Sequence, residues 1–201
     1  MEQIKYTDIK DPNSAEIEKM NEFEDGPWSH LNLDEIILPP PPNDSTMTQH
    51  ELKALSQLPE DAEFVRKYDD IHEAFERYYN EIGADYPFEV IEKAIKETAP
   101  VILKLKYHYD RPRPYQLARE YDIDLGVIIE LQSMRTPSYP SGHSTQGYYV
   151  AYLLKDNGGP SGLLKVAQNI SRSRNVARAH YASDSAAGRE LAVILLENRK
   201  D

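Results

Sequence analysis

A chain of 201 residues with 28% charged and 40% hydrophobic side chains fits one globular domain, which buries roughly 70% of its unfolded surface. It has no cysteine, which excludes disulfides and thiolate metal sites, and no apolar run approaches the ~20 residues of a membrane span. The net charge of −11 is uneven: residues 1–100 carry 9 Lys and Arg against 24 Asp and Glu, while residues 101–201 carry 14 against 10. An acidic exterior disfavours a nucleic-acid backbone as partner. A focused positive pocket in the second half suits a small anion instead.

Residues 1–36 read as a polar, irregular N-terminal segment, with EIEKMNEFED as a short helix and Trp28 as a packing anchor. The opening MEQIKYTDIK lacks the charged-then-apolar pattern of a secretory signal, so a cytoplasmic location is expected unless a leader has been trimmed away. Residues 37–201 read as the helical domain. Leu38 followed by Pro39–Pro42 must be extended, as a rigid arm on the surface. Asp44, Ser45 and Thr46 offer caps for a helix over Gln49–Leu58. From Pro59 to Ile82 the apolar positions Phe64, Val65, Tyr68, Ile71, Phe75, Tyr78, Tyr79 and Ile82 keep one helical period, which Gly83 ends. A second helix starts near Tyr86, and Pro100 should kink it or split it. Its end delivers Lys104 and Lys106 into Arg111-Pro112-Arg113-Pro114. Residues 115–139 are ambiguous, and Val127-Ile128-Ile129 could be helix or strand. Ser141 caps a helix that Asn157-Gly158-Gly159-Pro160 closes, and two more follow, over Ser161–Ala179 and Ser183–Arg199. The expected architecture is an all-α bundle, with small residues such as Gly147 and Gly188 letting helices approach closely.

Three stretches carry chemistry. In SRNVARAHYASD, residues 173–184, His180 and Asp184 are four apart, one turn on a shared helix face. A carboxylate there fixes the tautomer and frees the other ring nitrogen as nucleophile or ligand. Tyr139-Pro140-Ser141-Gly142-His143 offers the backbone N–H groups of Ser141 and Gly142 at a helix start, an anion nest, plus a second histidine. Lys106, Arg113 and Arg174 add three cations for the oxygens of a phosphoryl group. The expected roles are His180 as nucleophile, Asp184 orienting it, and His143 as general acid and base. Taken singly, a helical histidine is usually a satisfied polar residue and a Pro-Ser-Gly an ordinary turn. Three matched stretches in this order point to a phosphate-ester hydrolase that uses no metal.

That order, Lys-x6-Arg-Pro, then Pro-Ser-Gly-His, then Ser-Arg-x5-His-x3-Asp, resembles the phosphatidic acid phosphatase type 2 / vanadium haloperoxidase superfamily, and within it most resembles bacterial class A non-specific acid phosphatases. Lys104 with Arg111-Pro112 satisfies the first motif too. The Lys106 register is preferred because Arg111-Pro112-Arg113-Pro114-Tyr115 matches the Arg-x-Arg-Pro-aromatic of those phosphatases, and Leu38–Pro42 echoes their proline-rich segment. The resemblance implies an all-helical fold, a phosphohistidine on His180, and no cofactor, although vanadate could occupy the phosphate site. Partners would be a small phosphorylated substrate, with no nucleic acid and no membrane, and a homo-oligomer is left open. Rival readings are a vanadate-dependent haloperoxidase, a membrane lipid phosphatase and a catalytically idle phosphate-binding protein. Thr136 stands where haloperoxidases tend to carry an aromatic or histidine, and no spans suit a membrane enzyme. Class A phosphatases are exported, and residues 1–36 and 115–138 do not match their pattern.

Overall fold

In the computed structural model, which describes residues 11–200, the chain folds around α7 (Gly142–Asp156). This helix packs against α5 (Phe88–Tyr109), α8 (Leu163–Val176) and α9 (Ala182–Glu197), and buries Tyr149, Val150 and Ala151 between them. The remaining α-helices are α1 (Ser14–Asn21), α2 (Thr46–Ser56), α3 (Ala62–Lys67), α4 (Ile71–Ile82) and α6 (Pro114–Glu120). No strand occurs among the described residues, so the fold is all-α, and Val127–Ile129 is neither helix nor strand. None of these helices is long and apolar enough to cross a membrane. Met1–Lys10, where the leader argument lies, and Asp201 fall outside the described residues.

One expectation is corrected, and one of two alternatives is excluded. The period from Phe64 to Ile82 belongs to two helices, not one. The chain breaks at Tyr68–Asp70, where the Asp70 carboxylate caps α4 by accepting from the Glu73 N–H at 2.9 Å. The apolar positions stay in phase across the break because both helices pack against α8, although Val65 and Phe75 enter separate apolar clusters. Pro100, in turn, does not split α5, which runs unbroken through it. The turn before the proline is fastened from outside the ladder: the Thr98 hydroxyl donates to the Ala94 carbonyl at 2.9 Å, and Gln146 of α7 donates to the Ile95 carbonyl at 3.1 Å.

The N-terminal segment is tied to the bundle. The buried Trp28 donates its indole N–H to the Leu195 carbonyl at 2.7 Å and stands edge-on to Tyr149. α1 lies on α5, where Tyr107 donates to Glu16 at 2.9 Å. The proline arm follows the surface with its ends pinned: Tyr109 donates to the Ile37 carbonyl, Tyr139 to that of Leu38, and Thr48 to that of Pro42.

Candidate active site

Five segments meet at one end of the bundle. The last turn of α5 brings Lys106, and Asp110, in the left-handed region at φ 45°, turns the chain so that Arg111 and Arg113 run back beneath α9. The start of α7 brings His143, the last turn of α8 brings Arg174, and the turn into α9 brings His180 and Asp184. Lys104 goes elsewhere. It lies on the surface with its ammonium 2.7 Å from Glu24 and over the Phe23 ring, whereas Lys106 is buried.

His180 is held from both sides. Its Nδ1 lies 3.1 Å from Asp184 Oδ2, and its Nε2 lies 2.9 Å from Arg113 Nη1. A guanidinium only donates, so Nε2 must carry the lone pair and Nδ1 the proton. That is the tautomer a nucleophile needs. Burial, and then the Arg113 charge, hold the imidazolium of His180 well below its ordinary pKa, so the ring is neutral at neutral pH. Arg113 is itself fixed by backbone carbonyls: Nε donates to Thr136 at 2.9 Å, Nη2 to Ser133 at 2.6 Å, and Nη1 also to Ala179 at 2.8 Å. Burial lowers its pKa to about 10.

Behind His180 lies an ion cluster that the sequence reasoning did not include. Asp184 Oδ1 is 2.6 Å from Arg111 Nη1, and Arg111 Nη2 is 3.1 Å from Glu51 Oε2 on α2. Asp184 Oδ2 also accepts from the Ser138 hydroxyl at 2.5 Å and the Tyr181 N–H at 3.0 Å. Glu51 in turn accepts from the N–H and hydroxyl of Ser183, and the Arg111 guanidinium stacks on Tyr181 at 3.9 Å. Burial alone would raise the Asp184 carboxyl, but Arg111 and His180 hold it well below the usual carboxylate range. The signal for Arg111 was present: in an extended Arg-Pro-Arg-Pro, side chains two residues apart project to the same side, so Arg111 follows Arg113 into the bundle. Glu51 left no trace, being one acidic residue among many on a helix face.

Lys106, Arg174 and His143 form the other wall. The Lys106 ammonium donates to the Pro137 carbonyl at 2.5 Å, and burial with Arg113 nearby pushes its pKa well down. Both terminal nitrogens of Arg174 reach Asp69 Oδ1 at 2.8 Å, while its Nε is buried with no hydrogen-bond partner. His143, half-buried, has Nε2 3.0 Å from the Asp69 carbonyl oxygen. Burial and then Arg174 keep its imidazolium well below the ordinary pKa. Asp69, in the break between α3 and α4, therefore touches both an expected cation and the expected acid. The nest differs from expectation. The Ser141 N–H is already spent on the Asp184 carbonyl at 3.1 Å, because α9 packs directly against the start of α7. The unpartnered N–H groups are those of Gly142 and His143, one position further on. Among the described residues no group of three or more His, Asp or Glu stands where it could hold a metal ion.

Residues 94–196 match the PAP2 superfamily, a stretch that contains every residue from Lys106 to Asp184 discussed above. The chain belongs to the PAP2 superfamily. Its fold is also similar to a solved structure described as the first bacterial vanadium-dependent iodoperoxidase, with a TM-score of 0.62 and 15% identity. That match covers 84% of this chain and 54% of the other, so the chain spans about half that protein's length. At this identity the likeness is one of fold. None of the curated proteins matches.

In this PAP2 chain one glycine sets how closely α9 packs on the start of α7. A Cβ on Gly188 of α9 would sit 2.6 Å from the Ser141 carbonyl oxygen and 3.1 Å from the Thr145 nitrogen, both backbone atoms that cannot swing aside. Gly188→Ala must therefore push the start of α7 away from α9, at a cost of about 1–3 kcal/mol for overpacking. Gly147, whose added Cβ would meet only the Ile170 side chain at 3.4 Å, is the control. Thermal melts should place Gly188→Ala well below Gly147→Ala. Phosphate affinity should fall in the first and not in the second.

Proposed function

We propose that the protein is a phosphomonoester hydrolase of acid phosphatase type, acting on a small phosphorylated substrate through a phosphohistidine on His180. The observation that carries this reading is the two-sided clamp on His180, which presents a neutral imidazole with its Nε2 lone pair among Arg113, Lys106 and Arg174. The lone pair forms the N–P bond as the P–O bond to the leaving alcohol breaks. The Arg113 N–H that Nε2 accepted is then free to donate to a phosphoryl oxygen. His143 in its imidazolium form gives the departing oxygen its proton, then takes one from the water that attacks phosphorus, and inorganic phosphate leaves. Charge on the equatorial oxygens is met by Lys106, Arg113, Arg174 and the N–H groups of Gly142 and His143. This donor set stabilises an oxyanion with no demand for a metal.

The donors equally suit vanadate, which Lys106, Arg113 and Arg174 would hold against His180 Nε2. Bound vanadate would supply peroxide activation for halide oxidation, the chemistry of the iodoperoxidase whose fold is similar. For this chain vanadate is expected to act as an inhibitor competing with phosphate.

The pH dependence follows from the two imidazoles. His143 must be charged and His180 neutral, and in the free protein both are held below ~6.5. The proton on His143 is lost as pH rises, so kcat/KM should peak on the acid side of 6.5 and form a bell as the pair titrates together. Release of phosphate from an aryl phosphate, followed from pH 4 to 9 with chelator and then with vanadate, tests the whole reading. Activity that vanishes in chelator, or that climbs steadily to alkaline pH, would overturn it.

A further inference from the structure

A phosphatase chooses among esters through whatever holds the leaving group. Between α6 and the 128–135 segment runs a groove of about 880 Å³. Both of its walls are anchored on Arg113. One wall is α6, which begins at the next residue and supplies Tyr115 and Arg119. The other is the strip that includes Leu131, Met134 and Arg135, whose neighbours Ser133 and Thr136 accept from the Arg113 guanidinium at 2.6 and 2.9 Å. That guanidinium also reaches His180 Nε2. The groove is therefore one guanidinium away from the nitrogen that would attack phosphorus.

Its lining is unusual for the charges it leaves uncommitted. The side chains of Arg119 and Arg135 are exposed and make no hydrogen bond or ion pair among the described residues, and Glu130 is the single carboxylate facing them. In other clefts of the molecule the arginines are spent. Arg189 is held by Tyr148 and Tyr152, Arg77 donates to the Lys67 carbonyl, and Arg199 pairs with Glu97. The apolar part of the lining comes from Ile128, Leu131 and Met134, and the half-buried Tyr115 ring has no ring partner. A flat apolar body lying on Tyr115 and Met134 would place a negative substituent between the two guanidiniums.

We infer that this groove is the leaving-group subsite, and that it selects phosphate monoesters of a flat, partly apolar alcohol or phenol that carries a second negative charge. The inference rests on the phosphatase reading above. The test compares 4-carboxyphenyl phosphate with its neutral isostere 4-carbamoylphenyl phosphate at pH 6. The carboxylate ester should be favoured in kcat/KM by about five- to tenfold, the range for two partly exposed ion pairs. In the Arg119→Gln/Arg135→Gln double variant that ratio should fall to near one, and Arg119→Lys/Arg135→Lys should restore most of it. A second arm needs no turnover: calorimetric titration with 4-carboxybenzylphosphonate and 4-carbamoylbenzylphosphonate, with the same variants. Cleavage of both esters at equal efficiency overturns the subsite while leaving the phosphatase reading intact. No cleavage, with carboxylate-dependent phosphonate binding that the Gln variants abolish, overturns the phosphatase reading and keeps the groove as the anion-selective subsite. Phosphonates that bind alike, or not at all, overturn the inference.

Discussion

On the phosphatase reading proposed above, His180→Ala is expected to abolish turnover of every phosphate ester, by roughly 10⁴-fold or more, because it removes the Nε2 that forms the N–P bond. His143→Ala behaves differently, and the difference depends on the leaving group. An alkyl phosphate expels a poor leaving group that needs a proton, so its rate falls by about 10²–10⁴-fold, the usual contribution of general acid catalysis. A nitrophenyl phosphate departs without that help and still phosphorylates His180. Water activation is then the slow step, so the His143→Ala enzyme should accumulate phosphohistidine, captured by alkaline quench because that linkage survives base. Buried Arg113 and Asp184 flank the ring of His180, which makes His180→Gln the useful companion variant, since it keeps polar atoms between them. Turnover persisting in both His180 variants, with equal losses for the two ester types in His143→Ala, would reverse the two roles.

How much of this was legible before the fold was known varies by residue, for physical reasons. Helices announce themselves by apolar period, so the bundle was readable. The His180–Asp184 pair does meet, but not on a shared helix face as expected: His180 precedes α9, and Asp184 reaches back to it from the helix's first turn. Period cannot report a break that leaves the phase unchanged. The interruption at Tyr68–Asp70 was missed for that reason, and with it Asp69, which fixes Arg174 with its carboxylate and His143 with its carbonyl. A backbone carbonyl used as a ligand has no letter in the sequence at all. The same blindness applied to the Ser141 N–H, which looked available at a helix start and is consumed by the Asp184 carbonyl across the α7–α9 contact. Glu51 and Ser138 reach Asp184 and Arg111 from distant parts of the chain, and no local spacing encodes such meetings.

Those missed residues predict the second large effect. Asp184 and Arg111 are 0% and 1% exposed, and each depends on the other for its charge. Asp184→Asn keeps the shape but leaves Arg111 with Glu51 alone, a broken buried pair that costs about 3–5 kcal/mol. For a chain of this size that lowers Tm by roughly 6–20 °C. Arg111→Met removes the cation instead. Asp184 then keeps His180 as its main counter-charge, and its uncompensated carboxylate draws the imidazolium of His180 upward. Wild-type His180 and His143 are both depressed, so below ~6.5 the unfolded chain binds more protons than the folded one and stability falls as pH drops through that window. In Arg111→Met the His180 share of this slope shrinks, and the acid limb of kcat/KM moves to higher pH because the nucleophile protonates sooner. Melting curves from pH 7.5 to 5 and a pH–rate profile separate the two variants. Asp184→Asn should lose stability at every pH, whereas Arg111→Met should lose its acid sensitivity and shift the limb. An Asp184→Asn protein that melts with the wild type, or an Arg111→Met protein whose acid limb stays in place, would mean that Arg111 sits beside the His180–Asp184 pair without tuning it.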